Sequence, residues 1–386
     1  MTYRFYINVK YNERGILLIK IKGKYNEAVV FSEEIEETAK QQVYELCNQE
    51  FIKDSKIRMM PDLHAGKGCT IGTTMTITDK IVPNFVGVDL GCGMICVKLD
   101  VDKEKINFKN LDQIIRRNVP SGMNVRKKAH INAASIPFDK FIAPINENRA
   151  RVSIGTLGGG NHFIELNEGE DGSIYLVIHS GSRNPGKLIS DHYQKVAVDS
   201  LFKKKEKPAM TKDMAYVEGE NMHNYLHDVN IAQQYAALNR KTMAEVIIES
   251  MGWKTISEFD TIHNYVDLDN MILRKGAISA QAGEIVIIPM NMRDGSLICR
   301  GKGNPDWNYS GPHGAGRTMS RSQAKREVTV AEFEDTMKDV WSTSVTKATI
   351  DESPFAYKKM ADIIRNIGDT VDVLEIIKPI YNFKAN

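Results

Sequence analysis

From residue 3 to 30 apolar and polar side chains alternate, as in RFYINV and GILLIKIKG, with the two-residue period of half-buried strands. Asn12, Glu13, Arg14 and Gly15 supply a hairpin connection between them. The period then lengthens. Ile35, Ala39, Val43 and Leu46 stand four, four and three apart, which predicts one apolar face of a helix capped by Ser32, with Glu33 and Glu34 in its first turn. Cys47 on that helix reads as a small core residue. From 57 to 99 short β-like runs are broken by glycines, in IRMMPDLHAGKGCTIGTTMTI and IVPNFVGVDLGCGMICVKL, and polar residues lodge in the breaks. Residues 108–150 are polar and read as helical, and strand-and-glycine texture returns over 151–186. The longest helical stretch is 213–251, where Met222, Leu226, Val229, Ala232, Ala236 and Leu238 mark one side. A β-rich segment follows, then helices near 331–340 and 354–366 and a closing strand, VDVLEIIKPIYNFKAN. The pattern predicts an α+β protein, with mixed and antiparallel sheets and flanking helices.

Length and charge narrow the classes. A chain of 386 residues can bury a large core, in two or three domain-sized units or one elaborated one. A net charge of +2 provides no global field for a nucleic acid, so a polyanion has to meet a local patch. Arg116-Arg117 and Arg126-Lys127-Lys128 offer backbone contacts or merely a solvated surface, and the KKKEK run at 203–207 reads as an exposed loop. No apolar stretch reaches the roughly 18 residues of a membrane span, and the N-terminus lacks a signal-peptide core, so a cytoplasmic protein is expected. Five scattered cysteines are too few for a disulfide scaffold and suit a reducing compartment in which one or two ligate metal.

The candidate chemistry centres on Asp89 and Cys92, three residues apart at the end of an apolar run. Four histidines lie in comparable Gly- or Asn-punctuated settings: His162 in GGGNHF, His179 in IHSGSR, His263 in TIHNYV and His313 in GPHGAG. Carboxylate, thiolate and neutral imidazole all ligate first-row divalent ions, and a thiolate can bridge two of them. A histidine left over beside glycines and arginines suits nucleophilic attack on phosphorus. Ser320 and Gln323 form a candidate capping box for a short helix carrying Arg321, Lys325 and Arg326, where amides and guanidinium groups can receive a phosphate. His223 and His227 share a helical face, but no HExxH glutamate accompanies them, which disfavours a metalloprotease. Asp62 and His64 sit two apart before a glycine-rich turn, where the aspartate either bonds its own backbone or serves a site. Cys96 reads as buried and inert. The residues by themselves point to a binuclear metal enzyme acting on phosphate and leave hydrolysis and ligation both open.

The motifs PDLHAGKG, VGVDLGCGM, GTLGGGNHFIE, IHSGSR, HN and PHGAGRTMSR occur in the order found in the RtcB-type RNA-splicing ligases, and the chain resembles that family over nearly its whole length. The resemblance implies a single elaborated RtcB-like catalytic domain over 1–386, with a mainly helical excursion at about 213–252 and a central metal and nucleotide cleft. It implies a GTP- and Mn²⁺-dependent ligase joining an RNA 3′-phosphate or 2′,3′-cyclic phosphate to a 5′-hydroxyl, in RNA splicing or repair. A binuclear metal-dependent phosphoesterase or nuclease acting on RNA is the alternative. Asp89, Cys92, His162, His179 and His263 would hold two Mn²⁺ ions, with Cys92 bridging and Asp89, His179 and His263 favouring the second ion. His313 would attack the α-phosphate of GTP to form a guanylyl-histidine. Asn161 and Asn264 match phosphate-contacting asparagines, and Glu165 matches the carboxylate that receives the guanine N1 and N2 donors. Phe163, Gly314, Ala315, Gly316, Arg317, Tyr357 and Lys384 complete the expected nucleotide contacts. Asp62 and His64 fall in the family's acidic and histidine loop near the metals. The family also implies a protein activator of the archease type. One segment departs from the family. Where other members carry Pro-Gly-Ser-Met, this chain has Pro289-Met290-Asn291-Met292-Arg293-Asp294-Gly295, so Asn291 or Arg293 is expected near the nucleotide instead.

Overall fold

The computed structural model describes residues 6–11, 17–203 and 208–385; the expected hairpin connection at 12–15 and Lys204–Lys207 of the basic run lie outside them. Two seven-stranded sheets carry the fold. The first runs, in spatial order, Tyr6–Tyr11, Leu17–Lys22, Glu27–Val30, Ile57–His64, Ile71–Thr76, Ile272–Lys275 and Asn264–Asp267. Its one parallel pairing, Glu27–Val30 with Ile57–His64, needs a crossover, and the helix Glu37–Cys47 provides it. Ala39, Val43, Leu46 and Cys47 of that helix are buried against the sheet, as their spacing predicts. Its start is later than expected. Ser32 donates its hydroxyl to the Glu34 carbonyl, closing a turn, and Glu36 takes the cap position.

The second sheet is antiparallel throughout: Thr255–Ile262, Gly93–Leu99, Ile174–Ser180, Phe163–Glu168, Val371–Lys384, Gly295–Gly301 and Ile285–Asn291. Alternation along Gly93–Leu99 sends Ile95, Val97 and Leu99 to one face and Met94 and Cys96 to the other. The first face packs under Met243, Ala244 and Ile247 of the helix Gly219–Met251. The second packs against Ile287, Ile298 and Ile377 from the far strands. Burial on both faces contributes about 1.5–3 kcal/mol for each fully buried aliphatic side chain and holds this strand in place. Cys96 is wholly buried there, and burial pushes its thiol pKa far up, so it fills space as expected. The mixed and antiparallel sheets with flanking helices give the expected α+β class.

The helix Gly219–Met251 is the longest among the described residues and ends at Gly252, whose left-handed backbone (φ 68°) suits a residue without a Cβ. Residues 213–218, expected to be helical, form a 3₁₀ turn and a two-residue strand before it. The reading of 108–150 as helical also needs correction. α-Helix covers only Phe108–Asn118 and Glu147–Ser153, because Pro120, Pro137 and Pro144 interrupt what lies between. The later helices form at Val330–Thr336 and Met360–Ile367. No helix among the described residues is long and apolar enough to cross a membrane.

Candidate functional site

Four of the five expected ligands come from the ends of four adjacent strands of the second sheet. His263 follows Thr255–Ile262, Cys92 precedes Gly93–Leu99, His179 is the penultimate residue of Ile174–Ser180, and His162 precedes Phe163–Glu168. Antiparallel neighbours begin where the next one ends. The register pairs Ile262 with Gly93, Met94 with His179, and Phe163 with His179, so all four side chains reach one edge of the sheet. His263 is also the only residue between strands of the two sheets, since Asn264 opens a strand of the first.

The side-chain atoms converge. Cys92 Sγ lies 3.5 Å from His162 Nε2 and 3.3 Å from His179 Nε2, and the ligand atoms of these three buried residues all fall within 4.8 Å of one another. His179 Nε2 is 2.9 Å from His263 Nε2, and His162 Nε2 is 3.0 Å from Asp89 Oδ2. Asp89 is thus placed with His162, not with His179 and His263 as expected, because Ser182 N–H, at the start of the helix Arg183–Phe202, holds its Oδ1 at 2.9 Å. Nδ1 of His162 donates to the Leu157 carbonyl (2.8 Å) and Nδ1 of His179 to that of Asn161 (3.2 Å). This fixes the tautomer that turns each Nε2 lone pair inward. His263 Nδ1 is buried without a partner.

Electrostatics fit a cation at the centre. Burial pushes the pKa values of His179 and His263 well below the ordinary range and keeps both rings neutral, the form that ligates. Burial, then the charge of Asp89, drives the Cys92 thiol well up, so a thiolate there requires positive charge beside it. Burial opposes ionisation of Asp89, but the hydrogen bond and charge of His162 outweigh it and hold the carboxyl at about 2. With its Nδ1–H committed to Leu157, His162 points Nε2 at a carboxylate oxygen. Two such atoms 3.0 Å apart repel unless a proton or a metal ion lies between them. A mixed nitrogen, sulfur and oxygen set of this kind suits a first-row divalent ion.

A cleft of about 590 Å³ opens over this cluster and is lined by His179, His263, His313, Asn161, Glu165 and Tyr357, among others. His313 follows the short strand Ser310–Pro312, and its ring centroid lies 4.9 Å from that of His263. The fully buried Asp62, on the strand Ile57–His64, accepts from His313 Nδ1 (2.6 Å) and from its backbone N–H (3.0 Å). Asp62 therefore serves the site and does not close a turn on itself, while His64 Nδ1 lies 2.8 Å from the Asp62 carbonyl. Gly316 makes this approach possible. Its φ is 72°, and a Cβ there would stand 2.6 Å from the Asp62 carbonyl oxygen.

The far end of the cleft is polar and buried. Glu165 accepts from Asn382 Nδ2 at 2.6 Å, and burial raises its pKa to about 7. The register of the closing strand sets Lys384 opposite Phe163, with its ammonium 5.5 Å from the ring centroid. Asn161 turns its carbonyl inward to His179 and Lys384, leaving its exposed side chain at the cleft. Glu352 went unread in the sequence. It is buried, accepts from Lys384 Nζ (3.0 Å) and the Tyr357 hydroxyl (2.9 Å), and pairs with Arg321 (2.6 Å) and Arg317 (3.4 Å). Its only sequence signal is an acidic pair five residues before Tyr357.

Other expectations fare differently. Asn264 does not line the cleft; its Oδ1 accepts from Gly276 N–H. Ser320 accepts from Gln323 N–H, but the Gln323 amide reaches Glu327, so the capping box is half made; the full one is Thr329 with Glu332. Arg321 and Lys325 pair with Asp351, which neutralises part of the expected anion site. Arg293 pairs with Asp294, and Asn291 alone of the two lines the cleft. His223 and His227 are exposed, with His227 Nε2 on the Lys140 carbonyl.

The comparisons agree along the chain. A model of the family described as "tRNA-splicing ligase RtcB" matches residues 42–142 and 138–385. The RNA-splicing ligase RtcB of Escherichia coli (strain K12) is 33% identical, over 91% of this chain and 95% of its own length. The tRNA-splicing ligases RtcB of Aeropyrum pernix and Methanococcus maripaludis are 26% and 27% identical, over 80% and 82% of this chain and 84% and 85% of their own. Matched along almost all its length, with the Cys92, His162 and His179 cluster at its centre, the chain belongs to the RtcB tRNA-splicing ligase family.

Proposed function

We propose that this protein is an RNA ligase that joins a 3′-phosphate or 2′,3′-cyclic phosphate end to a 5′-hydroxyl end, using GTP and two Mn²⁺ ions and passing through a guanylyl-histidine at His313. The observation that carries the reading is the Asp62–His313 pair, set in the same cleft as the converging Cys and His side chains. A carboxylate 2.6 Å from Nδ1 keeps the proton there, so Nε2 carries the lone pair. His313 Nε2 attacks the α-phosphorus; the P–N bond forms as the P–O bond to pyrophosphate breaks. Asp62 stabilises the positive charge that the ring acquires. A 3′-phosphate oxygen of RNA then takes the guanylyl group from His313, and the 5′-hydroxyl displaces GMP from the activated end. A cyclic end is first opened to the 3′-phosphate.

Mn²⁺ bound by Asp89, Cys92, His162, His179 and His263 would supply Lewis-acid neutralisation of phosphate charge. Cys92 lies between the Asp89–His162 and His179–His263 pairs, which supports a bridging role. Glu165 would accept from guanine N1 and N2, with Tyr357 and Lys384 held beside it by Glu352. We read the chain as one RtcB-like catalytic unit with a helical excursion. Incubation with a 5′-hydroxyl RNA and a 2′,3′-cyclic-phosphate RNA should yield joined product only when GTP and Mn²⁺ are both present. Cleavage with no joining would favour a binuclear phosphoesterase.

A further inference from the structure

Two consecutive residues in the middle of the helix Gly219–Met251 are polar and fully buried: Asn239 and Arg240. Arg240 holds Asp260 with both arms of its fork, Nε to Oδ1 at 2.6 Å and Nη2 to Oδ2 at 2.5 Å. Its remaining arm, Nη1, donates to the carbonyls of Gly91 (2.7 Å) and Ser180 (2.9 Å). Asn239 accepts from the N–H groups of Gly155 (2.8 Å) and Thr156 (3.1 Å), and its amide donates to Thr156 O, Ser180 Oγ and Gly181 O.

These partners lie on two of the strands that carry the cluster and in the segments that lead into the other two. Gly91 precedes Cys92, Ser180 follows His179, and Asp260 stands on the strand that ends before His263. Thr156 precedes Leu157, whose carbonyl receives both His162 Nδ1 and Ser180 Oγ. An apolar pair of the same volume would hold the helix on the sheet at least as well, because a buried ion pair gives back in desolvation much of what it gains. What the fork adds is direction, fixing where two carbonyls and a carboxylate sit relative to one another.

We propose that Asn239 and Arg240 are positioning residues for the metal centre: they set the mutual spacing of Cys92, His162, His179 and His263, and so the affinity for divalent metal, without touching metal or substrate. The proposal rests on the reading of that cluster as a metal site.

The test compares Arg240→Lys with Asp228→Asn. Asp228 is equally buried on the same helix but accepts from Ile142 and Ala143 N–H and from the Tyr193 hydroxyl, none of them linked to the cluster. Mn²⁺ affinity is measured by calorimetry, and ligand geometry by the visible absorption of the Co²⁺-loaded protein. Arg240→Lys should weaken Mn²⁺ binding about tenfold or more and shift the cobalt bands. Asp228→Asn should lower the melting temperature with both readouts as in the parent. Asn239→Asp keeps the acceptor for Gly155 and Thr156 and loses the donors, so it makes the same test if Arg240→Lys does not fold. Native affinity and an unshifted cobalt spectrum in the clamp variants would overturn the proposal, as would an equal loss of affinity in Asp228→Asn. A parent chain that binds neither ion would instead overturn the underlying reading of the cluster.

Discussion

At the scale of single residues, two cysteines four positions apart do different work. Cys92 Sγ faces two imidazole nitrogens, whereas Cys96 points into the apolar face with Met94 and Val177. Cys92→Ser is expected to lose metal and activity, and Cys96→Ser to keep its metal while losing about 1–3 kcal/mol of stability for a buried hydroxyl. Metal content and melting temperature, measured on both variants, check this; equal metal loss would remove Cys92 from its role. Glu165 gives a pH signature. Burial raises its pKa to about 7, and the proposed contact with guanine donors would require the ionised form, so the carboxylate is depleted as pH falls through 7 and restored above it. The ratio of GTP to ATP affinity should therefore fall by up to about tenfold per pH unit below 7 and level off above it. The proposed metal ligands would act on both nucleotides alike, so a flat ratio between pH 6 and 8 would contradict the assignment. The side chains that converge were legible because each sits within two residues of a glycine or asparagine. Glu352 was not, since its partners Arg317, Arg321 and Lys384 are brought to it by folding alone.

At the scale of elements, the strand-and-glycine texture located the strands that carry the cluster, but not their order. Pairing of Gly93–Leu99 with Ile174–Ser180 is a long-range contact that period-two alternation cannot specify, whereas Phe163–Glu168 and Ile174–Ser180 form a local hairpin. The closing strand was legible as one run, yet it pairs with Gly295–Gly301 along its first half and Phe163–Glu168 along its second, shifting register near Pro379. Beyond that shift Asn382 meets Glu165 and Lys384 lines the cleft. Over 108–150 three prolines interrupt the polar run and confine α-helix to its two ends. The 314–317 loop offers an element-scale test. Gly316→Ala forces a Cβ onto the Asp62 carbonyl and holds a left-handed backbone that costs an L-residue about 1–2 kcal/mol. Guanylylation of His313 should fall at least about tenfold through the displaced Asp62, with Mn²⁺ content unchanged. Unchanged guanylylation would mean that the loop tolerates the intrusion and that the Asp62 contact is not limiting.

At the scale of the whole molecule, the cleft draws on both sheets, which also share the helix Gly219–Met251. Asp62 and the His313 loop come with the first sheet and its small neighbour Ala277–Ser279, and the Cys and His cluster comes with the second. A ligand that ties four strand ends together should stabilise the native state by mass action, about 2.7 kcal/mol at one hundred times its dissociation constant. Mn²⁺ is expected to raise the melting temperature by several degrees, and a chelator to reverse it. The net charge of +2 carries no information on the cleft, which is a local feature assembled from distant segments. The central claim is that His313 is a nucleophile activated by Asp62, and its most direct test is labelling with α-labelled GTP and Mn²⁺ in the absence of RNA. The expected product is an adduct that is lost in acid and stable in alkali, carried by the peptide that contains residue 313. His313→Ala should abolish it with Mn²⁺ content nearly intact. Label on a peptide without residue 313, or undiminished labelling of the alanine variant, would contradict the account.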